Sequence, residues 1–188
     1  YMSFSEWSML RPPTFVGLAN YRTLLADPDF WHAFRNTVYF LLNVPLSIVF
    51  SLGLAVLVNM KLRGMVVFRT IYYLPVISPL IAVSLVWVLM YNPEFGIINY
   101  LLSAFGIQGP RWLGSTRWAM PSIIIFAVWK NLGYNMIIYL AGLQGIPESL
   151  HEAAMIDGAT AWDRFRYVTV PLLSPTTFFL VTMGLIRG

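Results

Sequence analysis

Residues 152–171 read EAAMIDGATAWDRFRYVTVP, a polar stretch between two long apolar segments. Pro147, just ahead of it, suits the first turn of a helix, where its missing N–H costs little. Glu148 and Glu152 then lie near the positive N-terminal end of that helix. Ala153 and Ala154 carry no bulk, so a second protein surface can come close to the backbone. Gly158 suits a left-handed helix stop. Thr160, with Asp163 three residues on, opens a second helix through a capping box. The shape expected is a helix over residues 148–159, a tight turn and another helix.

The flanking segments set the class of protein. Hydrophobic residues make up 58% of the chain and charged ones 11%, against roughly 25% charged in a soluble domain. Residues 36–60, 70–93, 118–146 and 167–186 each reach the roughly 20 apolar residues that a helix needs to cross a bilayer. The charge they contain is Lys130. Only helices and closed barrels satisfy the backbone in lipid, and the period-two alternation of a barrel strand is missing. The prediction is an all-α, polytopic membrane bundle with four spans. A net charge of +4 with no run of Lys or Arg speaks against a nucleic-acid partner. Without cysteine there is no disulfide or thiolate site. His32 and His151 stand too far apart for a metal cluster, so no metal or catalytic residue is expected.

Within the spans, Pro45, Pro75, Pro79 and Pro121 each remove a helical hydrogen bond and favour a kink. Pro75 and Pro79, four apart, are the pair expected to mark a bend. Ser51, Gly53 and Ala55 permit close helix approach. The third span carries a polar, aromatic cluster of Trp129, Lys130, Asn131, Tyr134 and Asn135. Lys130 and Tyr134 share a helix face, as do Asn131 and Asn135. A lysine at mid-span should face protein or water. The cluster is therefore expected to line part of a solute pathway, with a purely structural role for Lys130 as the competing reading.

The spacing in the polar stretch resembles the EAA signature of membrane subunits of ABC importers. Glu152, Ala153, Ala154, Gly158, Val168, Val170 and Pro171 hold its places, with valines where that family more often has Ile and Leu. Further elements are similar to those of carbohydrate-type permeases: Phe15 with Gly17, Leu18, Asn20 and Tyr21; Asn36 with Thr37; Phe68, Arg69 and Thr70 before Leu74 and Pro75; Gly96 with Ile98 and Asn99; and Leu140 to Gln144 followed by Ile146, Pro147, Asp157, Gly158 and Ala159. In this order they cover nearly the whole chain.

The resemblance implies a permease of six spans, four of them present here. Residues 1–35 would be an external N-terminal segment and 36–186 the transmembrane domain, with a cytoplasmic coupling loop at about 147–170. The first span and the C-terminal part are missing by comparison, as in a fragment. Lys61, Arg63, Arg69, Arg164 and Arg166 on one side nearly balance Arg11, Arg22, Arg35, Arg111, Arg117 and Arg187 on the other. Loop charge therefore leaves orientation open, and the resemblance puts the EAA loop in the cytoplasm. ATPase coupling would fall to Glu152, Ala153, Ala154, Asp157, Gly158, Ala159 and Pro171. The implied partners are a second permease subunit in a heterodimer, a dimer of ATP-binding subunits and an extracytoplasmic solute-binding protein. All would meet in the inner (plasma) membrane, amid lipid. This chain would carry no cofactor, and ATP and Mg would sit on the ATPase. That division agrees with the lack of a G-x-x-x-x-G-K-[ST] loop here. The implied cargo is a sugar or sugar-like solute, the alternative being another polar solute such as a glycerol phosphoester.

Overall fold

The computed structural model describes residues 2–8, 11–60 and 65–187. The basic loop 61–64 lies outside the described residues. The chain divides into two units, Tyr1–Tyr39 and Phe40–Gly188.

In the first unit, β1 (Ser5–Ser8) and β2 (Arg11–Phe15) pair antiparallel, a small hairpin that the all-helical expectation lacked. Gly17 follows at φ 59°, a left-handed turn that glycine adopts without a Cβ clash. It leads into α1 (Ala19–Ala26). The Asn20 amide then donates to the carbonyls of Ser3 and Ser5 at 3.0 and 3.2 Å, and the Tyr21 hydroxyl to Ser3 Oγ at 2.9 Å. The Gly, Asn and Tyr of this sequence element therefore staple the hairpin to the helix. α2 (Pro28–Phe40) completes this part of the chain.

The second unit is built from α3 (Asn43–Asn59), α4 (Met65–Ile77), α5 (Leu80–Met90), α6 (Ile97–Ala104) and α7 (Ala119–Gln144), then α8 (Glu148–Ile156), α9 (Ala161–Arg164), α10 (Val170–Leu172) and α11 (Ser174–Arg187). Two helical runs, Pro28–Asn59 and Ala119–Gln144, are long and apolar enough to cross a membrane. Two broken pairs bring the total to four if each pair is one span. The second span, expected as one kinked helix, is bent by 103° between Ile77 and Leu80. The fourth is bent by 61° around Leu173.

The prolines divide by position. Pro45 and Pro121 fall in the first turns of α3 and α7, where N–H groups lack helical partners anyway, so they start helices rather than kink them. Pro79 is the residue just before α5, at φ −56° and ψ 131°, and there the chain does break. Packing centres on α7. Ala55 and Val58 of α3 meet Met136, Tyr139, Leu140 and Leu143, with Leu173 and Leu180 closing the far side. Ser51 and Ala55 are fully buried, and Ser51 Oγ donates to the Leu132 carbonyl at 3.2 Å. Gly53, expected in the same contact, is exposed with nothing near its Cβ position.

Candidate functional site

The polar loop is shaped almost entirely by its own backbone. α8 ends at Ile156, three residues before the predicted limit, and Pro147 is the residue ahead of it rather than its first turn. Gly158 stands at φ 82°. Its N–H donates to the Met155 carbonyl at 3.0 Å, and that of Ala159 to the Ala154 carbonyl at 2.9 Å, the paired closure of a Schellman stop. α9 starts at once with the predicted capping box. Asp163 N–H donates to Thr160 Oγ1 at 3.2 Å and Thr160 N–H to Asp163 Oδ2 at 3.0 Å. The Thr160 hydroxyl also donates to Asp163 Oδ2, and this bond together with that from Thr160 N–H favours the charged form, so the Asp163 carboxyl is held below its ordinary value.

A feature with no signal in the spacing follows, a π-turn over Phe165–Thr169. Val170 N–H reaches back five residues to the Phe165 carbonyl, one place before Pro171, which has no N–H to continue a helical ladder. Pro171 then sits in the first turn of α10. Glu152, Ala153, Asp157 and Gly158 are exposed, while Ala154 and Ala159 are half-buried. Ile156, at 86% exposure, and Trp162, at 64%, leave apolar side chains bare beside them. The opposite face of α8 turns His151 toward a cavity of about 300 Å³ shared with Asn59, Arg164, Phe165 and Thr169.

The cluster on α7 does not stay together. Asn131, Tyr134 and Asn135 line a cavity of about 150 Å³ with Asn43 and Ser47 of α3 and Arg187 of α11. The Arg187 guanidinium lies over the Tyr134 ring, 5.2 Å from its centroid. Ser47 is 3% exposed and its hydroxyl has no hydrogen-bond partner. Asn43, Ser47 and Ser51 recur every four residues along α3, a polar stripe that could have flagged the first two. Arg187, the lone charge closing α11, was the other available signal.

Lys130 points elsewhere. Its Nζ donates to the carbonyls of Pro75 and, at 2.9 Å, Ser78, with a longer contact to Val76 at 3.5 Å. Lysine at mid-span costs roughly 2.5–3.5 kcal/mol on insertion scales, and carbonyls at a helix end offset that charge. Trp129 joins an aromatic group, its ring 5.2 Å from Trp87 and 6.5 Å from Phe126. Between α5 and α7, Asn99 of the Gly96 to Asn99 element donates to Pro93 and Pro110 carbonyls and accepts from Trp112 Nε1 at 2.7 Å. That element, too, is a structural staple.

Comparison with known proteins bears on the whole arrangement. Residues 47–188 match the family described as binding-protein-dependent transport system inner membrane component. The lactose transport system permease protein LacF of Rhizobium radiobacter is 44% identical over 88% of this chain and 56% of its own length. The trehalose/maltose transport system permease protein MalF of Thermococcus litoralis is 41% identical over 86% of this chain and 55% of its own. The chain thus spans a little over half the length of these relatives. A crystal structure of a bacterial ABC transporter involved in import of the acidic polysaccharide alginate superposes with a TM-score of 0.78. It is 28% identical, over 90% of this chain and 60% of its own.

Proposed function

The chain belongs to the family of binding-protein-dependent transport system inner membrane components, and from that premise we propose that it is the translocation subunit of an ATP-driven importer for a sugar or sugar-like solute. The observation that carries this is the polar loop. A short helix with exposed Glu152 and Ala153, closed by Gly158, hangs between α7 and α11 and leaves Ile156 and Trp162 bare. That is a surface for a partner, and its register is the one that couples permeases to ATPases. Glu152 would accept charge-assisted hydrogen bonds from a basic groove on the ATPase. The small Ala153 would allow close approach.

Closure of the ATPases on nucleotide would then move α8 as a rigid body, and Pro171 would fix the angle at which that motion enters α11. Alternating access follows if the two nucleotide states favour different arrangements of the spans. The proposed pathway runs along the cavity lined by Asn131, Tyr134 and Asn135. Amides and the idle Ser47 hydroxyl there can serve sugar hydroxyls, and the Tyr134 ring a sugar's apolar face. The relatives that carry lactose and trehalose or maltose support a sugar as cargo. A solute-binding protein, a second permease subunit and an ATPase dimer complete the proposed complex in the inner membrane.

The test is uptake into proteoliposomes holding the full-length permease with those partners. Labelled lactose and trehalose would be compared with glycerol 3-phosphate, with and without ATP. ATP-dependent accumulation of a disaccharide is expected. Accumulation of glycerol 3-phosphate alone would replace the sugar reading, and uptake without the ATPase or binding protein would overturn it. A cysteine at Ala153, paired with one in the ATPase groove, should crosslink with a yield that changes with nucleotide. An unchanged yield would mean static docking.

A further inference from the structure

The break in the second span has a chemical cause that reaches across to α7. Pro79 has no N–H, so no continuation of α4 could satisfy the Pro75 carbonyl four residues earlier. An unmet carbonyl at membrane depth is costly unless another group serves it. Here Ser78 Oγ donates to the Leu74 carbonyl at 2.8 Å, and Lys130 Nζ serves the Pro75, Val76 and Ser78 carbonyls. None of α3, α4, α5, α7 and α11 contains an acidic residue. Backbone carbonyls are thus the groups that meet this ammonium among the described residues of its span and the neighbouring ones.

Gly133 makes the reach possible. It lies one turn along α7 from Lys130, and a Cβ on it would stand 2.0 Å from the Tyr72 carbonyl oxygen. α7 therefore runs directly against the last turns of α4. The bare backbone of one residue sets the distance, and the side chain three residues earlier uses it.

We propose that Lys130 is a positioning residue of the transport cycle: its ammonium caps the Pro75 carbonyl orphaned by Pro79, together with the neighbouring carbonyls of the break, and so holds the 103° break between α4 and α5. The lysine touches no solute in this role. It fixes the direction in which α5 leaves α4, and through Trp87 and Tyr91 the aromatic group that joins α5 to the start of α7, where the Tyr91 hydroxyl donates to the Ser122 carbonyl at 2.9 Å. The proposal rests on the transport reading only for its turnover readout, and its structural readouts stand without it.

The test is a double-mutant cycle on the full-length permease in its assembled complex, in lipid nanodiscs. Lys130→Met removes the cap, and Pro79→Ala returns an N–H four residues after Pro75. Spin labels at the exposed Val67 and Leu85 report the angle between α4 and α5, hydrogen exchange reports residues 76–82, and ATP turnover reports function. In Lys130→Met, exchange there should rise about tenfold or more, the label distances broaden, and turnover fall by a similar factor. Lys130→Arg should restore most of each signal, since a guanidinium can also serve carbonyls. In the Pro79→Ala background, Lys130→Met should cost much less, because the orphan no longer exists. Equal cost in both backgrounds would overturn the proposal, as would unchanged exchange and label distances in Lys130→Met with turnover lost. If Lys130→Met alone fails to accumulate in the membrane, recovery by Pro79→Ala supports the proposal and lack of recovery overturns it.

Discussion

The loop from Pro147 to Pro171 and the polar segment of α7 from Trp129 to Asn135 are both islands of polarity in an apolar chain, yet they get their shape from different sources. In the loop, every defining bond links residues a few places apart: Ala159 to Ala154, Gly158 to Met155, Asp163 to Thr160, Val170 to Phe165. In α7, the defining partners are distant. Lys130 meets carbonyls more than fifty residues away, and Tyr134 meets Arg187. A segment that satisfies itself can be exposed and move as one piece, which suits a lever. A segment satisfied by its neighbours registers any change in how those neighbours pack, which suits a pathway wall.

The strongest attempt to break this contrast is Gly133→Ala. The added methyl would collide with the Tyr72 carbonyl, and such overpacking costs about 1–3 kcal/mol or more. Thermal stability of the purified permease in nanodiscs should fall, with the loop still able to dock on an ATPase. Gly158→Val should behave in the opposite way. No atom lies within 4 Å of its Cβ position, but its φ of 82° is hostile to a β-branched residue. A penalty of about 1–2 kcal/mol, or about five- to thirty-fold in the population of the docking shape, should appear as lost import. Thermal stability and delivery by the binding protein should stay unchanged. Normal import in Gly158→Val would remove the lever assignment.

A smaller effect separates the two faces of α7. Asn135→Leu and Asn131→Leu in the cavity should each raise the half-saturating solute concentration about two- to tenfold, as for a lost hydrogen bond of about 0.5–1.5 kcal/mol, with label distances across the α4 and α5 break unmoved. Wild-type affinity in both would take the cavity out of the pathway.

The smallest effect is a titration. Asp163's carboxyl is held below its ordinary value by Thr160. Its contribution to loop order is therefore complete above the ordinary carboxylate value and is lost only as pH falls through the lower folded value. Thr160→Val should move the titration of labelled Asp163 back up toward ordinary, with import at neutral pH little changed.

Much of the loop was legible from residue types alone. A glycine at a helix end, a Thr with an acid three places on and a proline after an apolar run act through local backbone geometry, and each did what its type dictates. The π-turn at Phe165–Thr169 was missed because its i→i−5 bonding leaves no periodic mark in five residues. The polar cluster on α7 was legible as polar but not as divided. A helical wheel puts Lys130 and Tyr134 on a shared face, but a flexible lysine stem goes where carbonyls are unpaired, and that depends on the neighbouring helix.

The prolines show the same boundary. Pro45, Pro75, Pro79 and Pro121 all lack an N–H, and the sequence marks each of them. Whether that loss starts a helix or breaks one depends on how many turns precede it. Composition and span length determined that this chain is a helical membrane protein, and local spacing determined the shape of its polar loop, because both act through the chain's own backbone. The 103° size of the break in the second span, the partner of Lys130 and the cavity at Asn135 were decided only by tertiary packing, because each depends on which distant helix brings a free carbonyl, a glycine-wide gap or a guanidinium within reach.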